Sequence, residues 1–143
     1  KELIAKTITR YYSKSNKINV LPISADLTIL GDEKRIITVL KNLIDNSIKY
    51  SSNNNFPIEI NVIDKKDQSI IQVEDFGSGI PKEKVPFFFE PFYRADNARV
   101  KHSGGYGIGL YLCKRIMDLH EASLTIINKT NKSGLIAQMI FYK

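Results

Sequence analysis

Asn42, Asn46 and Lys49 lie at i, i+4 and i+7 of the stretch "EKRIITVLKNLIDNSIKY", residues 33–50. A helix turns about 100° per residue, which gathers the three into an arc of roughly 60°. Ile36, Ile37, Leu40, Leu43, Ile44 and Ile48 fall on the opposite side. Asparagine is a mediocre helix former, so two of them one turn apart need a reason. One reason is a solvated polar face. The other is chemical: an amide oxygen is a neutral, hard ligand for Mg²⁺, and a lysine one turn on meets a phosphate as a point charge.

Two glycine-rich stretches raise the same question. In "VEDFGSGIP", residues 73–81, a strand ends on the carboxylate of Asp75 and the chain turns through Gly77 and Gly79. Asp and Gly are ordinary residues for such a turn. They would also hold a hydrogen-bond acceptor at the sheet edge, ready for an exocyclic amine, beside a backbone that a flat base can approach. In "SGGYGIGLYLCKRI", residues 103–116, glycines precede a helix. This is not a dinucleotide fingerprint, because Leu110 stands where the third glycine is wanted. It is not a Walker loop either, because Leu110 and Tyr111 replace Lys and Ser/Thr. What remains is a pliant helix start whose free N–H groups favour a phosphate, or else a hinge or a close helix contact.

The elements that position these residues follow from periodicity. Residues 2–13 suit a helix, with Leu3, Ile4 and Ile8 on one side. "INV" at 18–20 and "LTIL" at 27–30 read as short strands, and Gly31-Asp32 stops the chain and caps a helix from Glu33 to about Tyr50. Strands are expected at 58–63 and 69–75 around the turn "DKKDQ". A Gly/Pro-rich stretch, an irregular segment, a helix from about Gly107 to Leu119 and strands at 123–127 and 135–143 complete the chain. Strands joined by short turns, with helices between, imply an α/β two-layer sandwich. Its sheet should be mixed and mostly antiparallel, with helices on one face.

In their order along the chain, these stretches resemble the catalytic, ATP-binding domain of a bacterial sensor histidine kinase. That family shares its Bergerat-type nucleotide fold with gyrase, Hsp90 and MutL. "NLIDNSIKYS" at 42–51 resembles the asparagine box, and "DFGSGIP" at 75–81 the first glycine box. "FFEPFYRAD" at 88–96 resembles the phenylalanine box, and "GGYGIGLYLCKRI" at 104–116 the second glycine box. The likeness covers residues 27–143, and the first 26 match loosely.

The resemblance implies ATP and Mg²⁺ as ligands. Asn46 would be the main metal ligand, with Asn42 beside it in the metal and phosphate shell. Lys49 would meet the phosphates and Arg94 the γ-phosphate. Tyr50 would lie near the ribose or base, and Asp75 would read the adenine amine, supported by Gly77 and Gly79. Ile80, Tyr93, Tyr106 and Leu110 would join the nucleotide wall. Gly105, Gly107 and Gly109 would hinge a lid at 94–106 and line the phosphate end. Tyr106 departs from the small polar residue usual there. The phosphate acceptor in this family is a histidine on a separate helical dimerisation domain, which then serves a response regulator. The two histidines here, His102 and His120, lack the family's acceptor setting. His120 is expected to serve the last carbonyls of its helix.

The totals bound the alternatives. A chain of 143 residues suits one domain, 1–143. It opens on Lys1 rather than Met, which leads us to expect a piece of a longer protein. The resemblance makes it the cytoplasmic domain of an inner-membrane sensor, monomeric by itself in a homodimeric parent. One cysteine, Cys113, excludes an internal disulfide and a cysteine zinc site, and its apolar surroundings read as core. The net charge of +6 is scattered, without a run of five like charges or a nucleic-acid motif. Three other functions stay in view beside the kinase: a superfamily ATP hydrolase or switch, a non-catalytic interaction module, and a basic nucleic-acid binder. The hydrolases carry a glutamate base where Asn42 stands, and a neutral amide cannot take the proton from water.

Overall fold

The computed structural model describes residues 1–23, 27–51, 56–93, 107–130 and 133–143. Among these residues three α-helices run over Glu2–Tyr12 (α1), Glu33–Tyr50 (α2) and Gly109–Leu119 (α3). Five strands among the described residues span Ile18–Val20 (β1), Ile58–Asp64 (β2), Gln68–Glu74 (β3), Ala122–Asn128 (β4) and Leu135–Tyr142 (β5). A 3₁₀ turn, Lys82–Phe87, lies between β3 and α3. The strand order is β1-β2-β3-β5-β4. Only β1 and β2 are parallel; the other three pairings are antiparallel. This is the mixed, mostly antiparallel sheet with helices on one face that the pattern implied.

The strand period of two sorts each strand into a buried and an open side. Ile60, Val73, Ala137 and Leu124 face the helices, and all are buried. On the far side Asn61, Gln72, Gln138 and Thr125 align in register across four strands. Helix α2 supplies the centre of the core with Ile36, Val39, Leu40, Leu43 and Ile44, each at most 2% exposed. Cys113 and Met117 of α3 meet it. Burial pushes the Cys113 thiol up to about 12, so it behaves as a small apolar residue.

Both ends of α2 are set locally. The Asp32 carboxylate accepts from the Arg35 N–H at 3.1 Å, as the Gly-Asp signal implied. "LTIL" forms no strand: residues 27–30 carry no sheet pairing, and Leu30 is 96% exposed. Its β-branched, alternating composition suits a pleated surface, but a strand exists only where a neighbour supplies hydrogen bonds. Among the described residues, no helix is long and apolar enough to cross a membrane.

His120 ties α3 to the start of α2. Its Nε2 accepts from the Asp32 N–H at 3.0 Å, so the proton sits on Nδ1, which donates to the Ile116 carbonyl at 2.7 Å. The ring therefore serves a last-turn carbonyl, as expected, and a second helix as well. His120→Ala removes both bonds and should cost about 1–2 kcal/mol. In a thermal melt that lowers the midpoint by roughly 3–8 °C.

Candidate functional site

A cavity of about 300 Å³ opens between α2, the start of α3 and the ends of β3, β4 and β5. Pockets for small ligands begin at about this size. The polar residues Asn42, Asp45, Asn46, Ser47, Lys49 and Asp75 converge on it. A larger cavity, about 530 Å³, lies between α1, residues 27–31 and the β2–β3 face. Its wall mixes aliphatic and polar residues, and its Glu2 and Glu33 both pair with Lys6. The charged side chains there are all exposed, whereas the smaller cavity holds the buried carboxylate of Asp75, so the smaller cavity is the candidate site.

At the sheet end stands Asp75, one residue past β3 and 3% exposed. Its Oδ1 accepts from the Gly77 N–H at 3.0 Å and from the Leu135 N–H at 3.1 Å. Burial raises the affinity of this carboxyl for a proton, and the two backbone donors pull the other way. Oδ1 takes both backbone donors, and Oδ2 accepts from none of the described residues, so it suits a guest's donor.

The turn after Asp75 is pressed onto α2. A side chain on Gly77 would place Cβ 2.7 Å from the Tyr50 carbonyl oxygen. That close approach, rather than an unusual φ, requires the glycine.

At the other end is the polar side of α2. Asn46 Nδ2 donates to Asn42 Oδ1 at 3.3 Å. This weak bond orients both amides: it commits the oxygen of Asn42 and leaves the oxygen of Asn46 without a partner among the described residues. Lys49 Nζ lies 5.2 Å from the centre of the Tyr50 ring. Asp45 is already engaged, accepting from Tyr12 Oη and from Lys41 Nζ. Tyr12 is kept protonated by its own burial and by the Asp45 charge, so it remains the donor.

Helix α3 meets the cavity by its N-terminus. Ile108 occupies its cap position with no side-chain hydrogen bond, and the first turn holds no acidic residue. Among the described residues no side chain caps its first N–H groups, which with the helix dipole suit an anion. Gly107 and Gly109 line this end. Gly107 has φ +69°, and a Cβ there would lie 2.8 Å from Tyr93 O. The Gly107 carbonyl accepts from the Phe92 N–H at 2.9 Å, which brings residues 92 and 107 together. Phe92 itself adopts φ +67° and is 74% exposed, a strained conformation for an aromatic residue.

Gly109 touches the asparagine pair directly. A Cβ at this position would fall 2.8 Å from Asn42 Oδ1 and 3.0 Å from Nδ2. Gly109→Ala should push the Asn42 amide aside and break its bond to Asn46 without disturbing the core. Any metal-dependent gain in nucleotide affinity at this end should shrink roughly tenfold, with little change in melting temperature. Titration with nucleotide in the presence and absence of Mg²⁺ checks this.

Of the residues singled out in the sequence, Asn42, Asn46, Lys49, Tyr50, Asp75, Tyr93, Gly107, Gly109 and Leu110 all line this one cavity. Gly77 and Gly79 stand behind Asp75. Ile80, expected on the nucleotide wall, is instead buried in the hydrophobic core. Its backbone is drawn inward by the side chain of Asn128, which bonds both its N–H and its carbonyl. Arg94, Gly105, Tyr106, His102 and the expected lid at 94–106 lie outside the described residues. The sequence reading missed Leu43, Asp45, Ser47, Phe88, Ile126, Leu135 and Ala137 on the wall. Leu43 and the three strand residues look like core in any pattern. Phe88 carried a signal, since it opens the phenylalanine stretch.

No group of three His, Cys, Asp or Glu side chains that could hold a metal occurs among the described residues. That suits Mg²⁺, which keeps most of its waters and binds through one or two protein oxygens together with phosphates. The free Asn46 oxygen fits such a role, with Asn42 beside it.

Comparison with known proteins agrees with this chemistry. Residues 31–141 match the family described as histidine kinase-, DNA gyrase B- and HSP90-like ATPase. The chain is 43% identical over 110 residues to the sensor histidine kinase YkoH of Bacillus subtilis, covering 77% of this chain and 24% of that protein. It is 40% identical over 98 residues to the histidine-protein kinase ArlS of Staphylococcus aureus, covering 68% of this chain and 21% of that one. It therefore spans about a quarter of the curated relatives it matches. Among solved structures, the nucleotide-free catalytic domain of histidine kinase ThkA superposes with a TM-score of 0.81 at 26% identity, over 99% of this chain and 91% of that one. The chain belongs to the histidine kinase-, gyrase- and Hsp90-like ATPase family, and it is a catalytic ATP-binding domain homologous to those of bacterial sensor histidine kinases.

Proposed function

We propose that this domain binds Mg²⁺–ATP and donates the γ-phosphate to a histidine on a separate helical dimerisation domain, in two-component signalling. One observation carries the reading. The cavity joins a buried carboxylate acceptor, suited to an adenine amine, to a lysine, two amides and an uncapped helix start, suited to a triphosphate. In this reading Asp75 Oδ2 takes the exocyclic amine, and Tyr50 and Tyr93 flank the ribose and base. Lys49 and the N-terminus of α3 take the phosphates. Asn46, with Asn42 beside it, would hold Mg²⁺, which supplies charge neutralisation on the phosphates when bound. Arg94 would reach the γ-phosphate from a lid at 94–106, and residues 1–143 would act as one domain. The incoming imidazole nitrogen forms a bond to the γ-phosphorus as the bond to the bridging oxygen breaks and ADP leaves.

Transfer is favoured over hydrolysis by the carboxylates on the wall. Asp45 is held by Lys41 and Tyr12, and Asp75 is buried with Oδ1 committed to two N–H groups. Neither is a free base for a water beside Asn42. The acceptor would come from outside, because both ring nitrogens of His120 are engaged. Phe87, Phe92, Ile108, Tyr111 and Leu112 are exposed on the segments that frame the cavity, an apolar surface suited to a helical partner. The parent would be a homodimeric inner-membrane sensor with this domain in the cytoplasm, passing phosphate to a response regulator.

The test is to mix the domain with Mg²⁺, γ-labelled ATP and a helical domain that carries the acceptor histidine. Acid-labile label on the helical domain is the expected result. Label released only as inorganic phosphate would favour the hydrolase, and no nucleotide binding would favour an interaction module. Asn46→Ala should remove about tenfold of the gain in ATP affinity that Mg²⁺ confers. Calorimetry with and without the metal measures that difference.

A further inference from the structure

We propose that Asn128 is a positioning residue for base recognition, fixing the Asp75 carboxylate through the turn that follows it; this rests on the reading that Asp75 accepts from the adenine amine. Asn128 ends β4 and faces Leu135 of β5 in register. Leu135 in turn holds Asp75: its carbonyl accepts from the Asp75 N–H at 3.0 Å, and its N–H donates to Oδ1 at 3.1 Å. One rung of the β4–β5 ladder therefore bears on both ends of the turn, the carboxylate through Leu135 and the exit through Asn128.

The contact with the exit is bidentate. Asn128 Oδ1 accepts from the Ile80 N–H at 2.9 Å, and Nδ2 donates to the Ile80 carbonyl at 2.8 Å. Ile80 lies in no strand, yet the carboxamide gives it the donor and acceptor that a neighbouring strand would. Both peptide groups belong to a residue only 9% exposed, where unpaired groups are costly. Two further features close the clamp. A Cβ on Gly79 would lie 2.7 Å from Asn128 Oδ1, so the glycine admits the amide. Ser133 Oγ donates to the Gly77 carbonyl, inside the same turn.

Only a carboxamide answers both groups. Aspartate keeps the acceptor for Ile80 N–H but sets a second acceptor against the carbonyl. Alanine answers neither. Releasing the turn frees the Gly77 N–H from its fixed place against Oδ1, and the orientation of Oδ2 toward the base relaxes. The predicted loss is therefore specific for the base edge. It leaves the phosphate and metal end on α2 and α3 untouched.

The experiment compares ATP with inosine triphosphate, which presents a carbonyl where adenine presents its amine. Affinities are measured by calorimetry for the unmodified chain, Asn128→Ala, Asn128→Asp and Ser133→Ala. Asn128→Ala should lose about tenfold in ATP affinity and little in inosine triphosphate affinity, so the preference between them collapses. Asn128→Asp should move the same way, and Ser133→Ala, at an exposed residue, by a smaller factor. The two Asp and Ser variants decide the matter if Asn128→Ala does not fold. Parallel losses for both nucleotides, or a preference that survives every variant, would overturn the positioning role. An unmodified chain that fails to prefer ATP would instead overturn the adenine reading, and this role with it.

Discussion

Asp75→Asn should lower ATP affinity by about 10- to 100-fold while the fold stays intact. The amide oxygen can still accept from Gly77 N–H and Leu135 N–H, so the turn keeps its two internal bonds. The atom facing the cavity, however, changes from an acceptor to an NH₂ donor, which meets the adenine amine donor to donor. Leaving such a pair unsatisfied in a buried site costs about 1–3 kcal/mol, which sets the factor. Stability should move the other way. Burial raises the native carboxyl above its unfolded value, so the native state binds the extra proton and the ionised form costs stability. That cost is absent below the unfolded value of 3.8 and grows as pH rises through the native one. The Asn variant should therefore melt at or above the parent temperature near neutral pH, and the difference should vanish toward pH 3. Unchanged ATP affinity would remove Asp75 from the site; a large fall in melting temperature would make its role structural.

Gly134→Ala should be the most destabilising alanine substitution among the described glycines. Gly134 has φ +121°, and its Cβ would lie 2.1 Å from the Asp75 carbonyl oxygen and 2.8 Å from its carbon. Both are backbone atoms at the end of β3 and cannot rotate away as a side chain could. The start of β5 must then separate from β3, breaking the Asp75 N–H bond to Leu135 O and the Leu135 N–H bond to Oδ1. Backbone strain plus these losses should cost about 2–4 kcal/mol, roughly 10 °C in a thermal melt. ATP binding should fall with it, since the carboxylate is carried on the displaced end. An unchanged melting curve would show that the β3–β5 junction yields more easily than its contacts imply.

These two positions mark different depths of legibility. Asp75 stood out because a carboxylate before Gly-x-Gly is a statement about chemistry, visible in one dimension. Gly134 fell between the strands expected at 123–127 and 135–143 with nothing to mark it, because its need for glycine comes from Asp75, 59 positions earlier in the chain. Asn128 was passed over for the same reason. It lay just past the strand expected at 123–127, and its partner Ile80 is 48 positions away. The apolar wall of the cavity was equally hidden: Leu43, Ile126 and Ala137 follow the rule for a core face, and nothing local separates lining a pocket from filling a core.

By itself the sequence determined the three helices, the five strands that form and the polar residues gathered on one side of α2. Amphipathic period, an Asp cap and turn residues act over a few positions and are strong enough to survive any tertiary setting. Tertiary structure alone decided that β1 pairs in parallel with β2, that 27–30 makes no strand, and that His120 joins α3 to α2. It also decided which amide of the asparagine pair keeps a free oxygen and which glycines are indispensable. These depend on where a second segment places its hydrogen-bond groups and its bulk, and that is set by packing across the fold rather than by any local run of residues.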